Sequence, residues 1–201
     1  NNDIGVTQTL LSLQPETEVL IVEMGMRGLG EIERLSVYAE PDVAIVLNAG
    51  SAHIGRLGSV EAIAQAKCEI VAGLKSNGTL IINGDDPLIC ARAQTQWQGQ
   101  TVRYQLNEVQ LQESQNAVPT ELGQILGYQG LSIRLAQHGQ HIASNALAVL
   151  KTADVLSQTL DTMTLQGAID GLATYQPLEG RCVPQRLEGL VANGALCSAL
   201  W

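Results

Sequence analysis

Short β-branched apolar runs alternate with segments of helical periodicity through the first hundred residues. That alternation constrains the fold more than any other feature of the chain. Residues 19–22 (Val-Leu-Ile-Val) and 43–47 (Val-Ala-Ile-Val-Leu) are continuous apolar runs of strand length, as in strands buried on both faces. Between them, residues 31–39 place Ile32, Leu35 and Ala39 at helical spacing, and Pro41-Asp42 stops the pattern. Ser59 is a cap for a helix over residues 60–74, with Ile63, Ala66, Ile70 and Leu74 on one stripe. Asn77-Gly78 turns the chain into a third strand, residues 79–82. Asp86-Pro87 then opens a helix running to about Ala93. Strand and helix in this order imply an α/β fold: a mostly parallel, twisted sheet with right-handed crossovers, flanked by helices.

After Gln100 the pattern changes. Residues 101–106 and 130–136 have strand character, and the Gln-rich stretch between them, with Pro119 and Gly123, suits a loop or hairpin. Residues 145–155 form an Ala/Leu/Val helix, and residues 165–172 form another that ends near Pro177. This half is expected to be a small antiparallel extension of the same domain, which would span residues 1–190. Residues 191–201 show no pattern and are expected to be an irregular tail, as a truncated or frameshifted start of a further domain would be.

Apolar residues make up 45% of the 201, enough for a substantial core, so a folded chain is expected. With 3% aromatics and no Phe, that core has to be built from Leu, Ile, Val and Ala. The formal net charge of −9 repels nucleic acid and anionic membranes. An acidic protein that handles an anionic nucleotide calls for a divalent cation. No run of about 18 apolar residues is present, so no transmembrane segment is expected. Asn1-Asn2-Asp3 carries neither an initiator Met nor a signal pattern and reads as the interior of something longer. The four cysteines are widely spaced without a CxxC pair, which suits reduced cytoplasmic thiols rather than a zinc or disulfide framework.

In open α/β sheets, binding sites lie beyond the carboxyl ends of the strands. Glu23 follows the first run, in Glu23-Met24-Gly25-Met26-Arg27-Gly28. His53 follows the second, in Asn48-Ala49-Gly50-Ser51-Ala52-His53. A carboxylate and an imidazole among glycines suit a Mg2+ or phosphate site. A solvated strand end and a capping or core histidine are the alternatives. Lys67 stands between Ile63 and Ile70 on a helix; it is either a snorkelling lysine paired with an adjacent Glu or a half-buried one that must be neutralised, paired or modified. Gly139-Gln140-His141-Ile142-Ala143-Ser144-Asn145 leads into the Ala/Leu helix. It either reads an adenine edge or simply caps the helix with Ser144 or Asn145. Arg181, after Glu179-Gly180, suits a phosphate or an ordinary surface.

The order and spacing of these blocks resemble the Mur ligase family over about residues 1–190. The blocks that carry the resemblance are Asn1-Asn2-Asp3-Ile4-Gly5-Val6 with Thr9-Leu10-Leu11, residues 23–28 with Glu31-Ile32, and Asn48 to His53. Leu57-Gly58-Ser59, Ala64-Gln65-Ala66-Lys67-Cys68-Glu69-Ile70 and Asn83-Gly84-Asp85-Asp86-Pro87 complete the set. They are most similar to the branch of the family that adds D-alanyl-D-alanine. The resemblance implies the central, P-loop-type ATPase domain of an ATP-dependent amide-bond ligase of peptidoglycan synthesis, cytoplasmic and monomeric. Its partners would be UDP-N-acetylmuramoyl-tripeptide and D-alanyl-D-alanine, and its cofactors ATP and Mg2+. It implies Mg2+ ligation by Glu23, His53 and a carbamylated Lys67, which are also the catalytic set. Adenine would meet Asn145 and His141, the ATP phosphates Arg181, and the UDP-sugar substrate Asn1 and Asn2. The side-chain ends of Glu23, His53 and Lys67 are expected within roughly 10 Å of one another, a span two bridged metal ions cover.

Three departures stand beside the resemblance. The 201 residues hold no Gly-x-x-Gly-Lys-[Ser/Thr] phosphate loop. Ile142 replaces an asparagine of the family's Gly-x-His-Asn-x-x-Asn. The Asp-rich block expected after Gly189 does not appear in residues 190–201, and the chain is expected to lack a C-terminal domain. A sibling ligase for folate or amino-acid polymers, and a non-catalytic remnant or binding module, are therefore the competing readings. A chain with these departures is expected to be inactive alone.

Overall fold

Three side chains punctuate the first half. Ser59 Oγ accepts from Ala62 N, Asp86 Oδ1 accepts from Leu88 N and Ile89 N, and Asn2 Oδ1 accepts from Gly5 N. Each satisfies helix amides that have no intrahelical partner. A computed structural model describes residues 2–52, 54–113 and 123–176 of the chain. The elements are α1 (Asp3–Leu11), α2 (Glu31–Ala39), β1 (Val43–Val46), α3 (Ile54–Leu57), α4 (Val60–Cys68), β2 (Thr79–Asn83), α5 (Pro87–Gln96), β3 (Gln100–Tyr104), β4 (Gln110–Glu113), β5 (Gln124–Tyr128), β6 (Leu131–Leu135), α6 (Gln140–Leu156) and α7 (Leu165–Thr174). The chain divides into two units between Arg103 and Tyr104.

In the first unit β1, β2 and β3 form one sheet in that order, with β1 and β2 parallel from Val43 opposite Thr79 to Val46 opposite Ile82. Ala44 and Val46 of β1, Leu80 and Ile82 of β2, Ala64 and Cys68 of α4, and Ile89 and Ala93 of α5 share one core. The opposite flank of α4, Ile63 and Ala66, packs with Ile32 of α2 and with Met26. Helix α4 is thus wedged between sheet and helix. This is why Lys67, near its end, is only half exposed. Burial pushes the Cys68 thiol up to about 11, so the thiol packs as a small neutral group.

Two expectations need correction here. Residues 19–22 do not form a strand. Val19 and Leu20 are each 37% exposed and Ile21 88%, and among the described residues β1 is paired only with β2 in its sheet. An apolar run signals a preference for burial, but a strand also needs a neighbour to take its backbone hydrogen bonds. For the same reason β1 is buried on one face only, with Ile45 38% exposed. The helix expected over residues 60–74 is α-helical only to Cys68 and continues as a 3-10 turn, Glu69–Ala72. The Ser36 hydroxyl donates to the Ile70 carbonyl, and Leu74 N bonds instead to Val71 O at 3.2 Å. A continuing α-helix would pair Leu74 N with that same Ile70 carbonyl.

In the second unit β4, β5 and β6 form an antiparallel sheet. Gln129 and Gly130 join β5 to β6 with φ of 49° and 79°, the left-handed pair that a two-residue hairpin requires. Helix α6 buries Ala143, Leu147, Leu150 and Ala153, an i, i+4, i+7, i+10 stripe, and α7 lies against α6 and β6. Tyr128 donates to Asp154 Oδ2 at 3.1 Å, while Lys151 pairs with Glu108 at 2.6 Å and stands over the Tyr128 ring. The parallel sheet with flanking helices, followed by an antiparallel extension, is the architecture the alternation implied. No described helix is long and apolar enough to cross a membrane.

Candidate functional site

The carboxyl end of β1 runs into Asn48-Ala49-Gly50-Ser51, an irregular stretch in which Gly50 takes φ of 65°. Two side chains from later in the sequence fasten it. Lys67 Nζ donates to the Asn48 carbonyl at 2.7 Å, and Asp86 Oδ2 accepts from Ala49 N at 2.7 Å. Burial lowers the Lys67 pKa, and the nearby negative charge of Asp86 partly offsets that shift. The charged form of Lys67 is thus penalised. Whatever stability this group lends the fold is present at alkaline pH and is lost as pH falls through its lowered folded value. A cleft of about 510 Å3 opens beside this stretch, lined by Ala49, Gly50, Ser51, Asn83, Asp85 and Asp86 among others.

A second loop is fastened to the same end of α4. Both carboxylate oxygens of Glu69 accept from Gly30 N, at 2.9 and 2.8 Å, where Gly30 caps α2 with φ of 81°. Glu31 turns back to accept from Arg27 N at 2.8 Å. Residues 67 and 69 therefore hold the loop after β1 and the loop that follows Glu23. Glu69 is committed to Gly30, so the adjacent-Glu pairing weighed for Lys67 is replaced by a backbone carbonyl. Glu23 itself is exposed in the irregular segment before α2. His53 lies outside the described residues, as do Asn1 and Arg181. Among the described residues no three His, Cys, Asp or Glu side chains converge as a metal-binding group. Asn2 uses its carboxamide oxygen to cap α1.

In the second unit, His141 and Asn145 are exposed and one turn apart on α6. The cap of this helix is Gly139, not Ser144 or Asn145, both of which are within the helix; Ser144 is buried. Gly139 has φ of 122°, a conformation glycine adopts readily, and a side chain there would meet the His141 imidazole at 2.8 Å. The buried Gln124 carboxamide holds Gly139 from both sides, donating to its carbonyl at 3.1 Å and accepting from its N–H at 3.2 Å. Spacing gave no sign of this residue. Gln124→Leu is expected to leave the Gly139 N–H without its partner and to lower stability by about 1 kcal/mol. Urea unfolding of the chain checks this, and an unchanged midpoint would show the clamp to be dispensable.

Residues 1–153 match the family described as Mur ligase middle domain. The chain is 43% identical over 169 residues to a UDP-N-acetylmuramoyl-tripeptide--D-alanyl-D-alanine ligase of Synechocystis sp., covering 84% of this chain and 36% of the relative. It superposes on a MurF structure from Acinetobacter baumannii with a TM-score of 0.79 at 27% identity, covering 94% of this chain and 41% of that one. A MurF ligase from Thermotoga maritima in complex with ADP matches with a TM-score of 0.72 at 25% identity, over 94% of this chain and 43% of that one. The chain thus spans little more than a third of the length of the first of these relatives.

Proposed function

Since the chain belongs to the Mur ligase family through its middle domain, we propose that it is the ATP-handling part of a cytoplasmic ligase that joins D-alanyl-D-alanine to UDP-N-acetylmuramoyl-tripeptide. ATP phosphorylates the terminal carboxylate of the tripeptide, giving an acyl phosphate and ADP. The dipeptide amine attacks the acyl carbon, and phosphate leaves from the tetrahedral intermediate. The observation that carries this reading is Lys67: half-buried, lowered in pKa and hydrogen-bonded at 2.7 Å to the loop that leads to His53. A lysine whose charged form is penalised presents more of the neutral amine that attacks carbon dioxide, giving a carbamate and a proton. The carbamate nitrogen keeps one N–H, so it could still donate to the Asn48 carbonyl, and its two oxygens would be anionic ligands.

Carboxylate and carbamate oxygens fit Mg2+, so Glu23 and carbamylated Lys67 would hold it, with His53 as a third donor. Held there, Mg2+ would supply charge stabilisation to the transferring phosphoryl group. On this reading Asn145 and His141, exposed on one face of α6, contact adenine, and Arg181 contacts the phosphates. Asn1 and Asn2 face the UDP-sugar. The identity to D-alanyl-D-alanine ligases favours this substrate pair over that of a folate or amino-acid-polymer ligase.

The test is the full-length ligase carrying these residues, assayed with ATP, Mg2+ and both substrates. Dipeptide-dependent phosphate release with a matching ligated product supports the proposal, and phosphate release without such a product refutes it. The 201-residue chain alone, which has no glycine-rich loop and lysine to hold the β- and γ-phosphates, is expected to release no phosphate above a heat-killed control.

A further inference from the structure

The Asp86 carboxylate serves two parts of the fold at once. Its Oδ1 accepts from Leu88 N and Ile89 N, both at 3.1 Å, and so caps α5. Its Oδ2 accepts from Ala49 N at 2.7 Å, across 37 residues of sequence. Ala49 is 1% exposed and follows Asn48, whose carbonyl takes the Lys67 ammonium. Capping a helix requires one side-chain oxygen, and Asn or Ser supplies it about as well as Asp. The second oxygen is surplus to the helix, and that oxygen is the one bonded to the loop after β1.

We propose that Asp86 is a positioning residue of the ligation site: through Ala49 N–H it sets the height and orientation of the loop that offers the Asn48 carbonyl to Lys67 and continues to His53. It acts through that loop and not on the reacting atoms. The inference rests on the ligase reading above, but its structural half stands on the hydrogen bonds alone.

Asp86→Asn separates the two duties. The carboxamide oxygen still caps α5, while the NH2 group now faces the Ala49 N–H, donor against donor. In the full-length ligase this variant is expected to unfold at a somewhat lower midpoint than wild type, because the buried Ala49 N–H loses its partner while the α5 cap is kept. Amide exchange at Ala49 should accelerate by roughly tenfold or more. The value of kcat should fall by about 10- to 100-fold with KM little changed, as a misplaced catalytic group produces. Asp86→Ser, which caps the helix with one oxygen and brings no opposing donor, is expected to show the same exchange and kcat losses. Wild-type kcat in both variants with Ala49 still protected overturns the proposal. So does a lowered midpoint with protection and kcat retained, which marks Asp86 as a cap and nothing more. If the wild-type enzyme does not ligate D-alanyl-D-alanine, the ligase reading fails, while exchange at Ala49 still decides whether Asp86 holds the loop.

Discussion

Lys67→Ala in the full-length ligase is expected to lower kcat by about 10²- to 10³-fold, the range seen when one preorganised charge-stabilising group is removed from a site. Lys67→Arg distinguishes the possible reasons. Arginine keeps a positive charge and hydrogen-bond donors for the Asn48 carbonyl, but its guanidinium stays protonated and does not form a carbamate. If Lys67 works as a cation that ties down the loop, Arg restores most of the rate. If it works as a carbamate, Arg is as poor as Ala. Carbon-13 NMR with labelled bicarbonate provides an independent readout: a carbamate signal in the wild type that both variants lack. Full activity in Lys67→Ala would remove this residue from the mechanism.

Gly73→Ala is expected to cost about 3 kcal/mol or more, at the upper end of overpacking effects. A β-carbon there would stand 2.1 Å from the Ser36 carbonyl oxygen and 2.5 Å from Val37 N, both backbone atoms of α2. No rotamer change relieves such a contact, so α2 would have to move away, breaking the Ser36–Ile70 hydrogen bond and opening the packing around Ile32. Gly171→Ala is the control, since nothing lies within 4 Å of its β-carbon position in α7. That exchange should stabilise by about 0.5–1 kcal/mol through helix propensity. Thermal unfolding of the two variants side by side checks both signs. A Gly73→Ala protein as stable as wild type would show that α2 is not tightly seated.

Local signals were legible in the sequence, and pairings were not. The spacing of Ile32 and Leu35 marked α2 with its observed bounds, and Ser59 and Asp86 marked two helix starts because capping involves residues only a few positions apart. The same locality concealed the second duty of Asp86, whose partner is 37 residues away. It also misdirected residues 19–22, whose composition speaks for burial but says nothing about a neighbouring strand. The hairpin at Gln129-Gly130 escaped notice because glutamine rarely takes positive φ. At the site, Lys67 stood out as a cation between apolar neighbours, yet its acceptor is a main-chain carbonyl, and carbonyls look alike at every position of a sequence. Gln124 and Glu69 act on the amides of Gly139 and Gly30 for reasons that only the fold brings about.

The two loops of the first unit hang from acceptors made much later. Gly30 N waits for Glu69, and Ala49 N waits for Asp86, separations of 39 and 37 residues. On a ribosome the loops emerge first and stay without these partners until the chain has reached Glu69 and Asp86 of a unit that ends at Arg103. The cleft is therefore among the last features of this unit to take shape during translation, and a nascent chain halted before Asp86 would present β1 and α2 with the loop after β1 held by Lys67 alone.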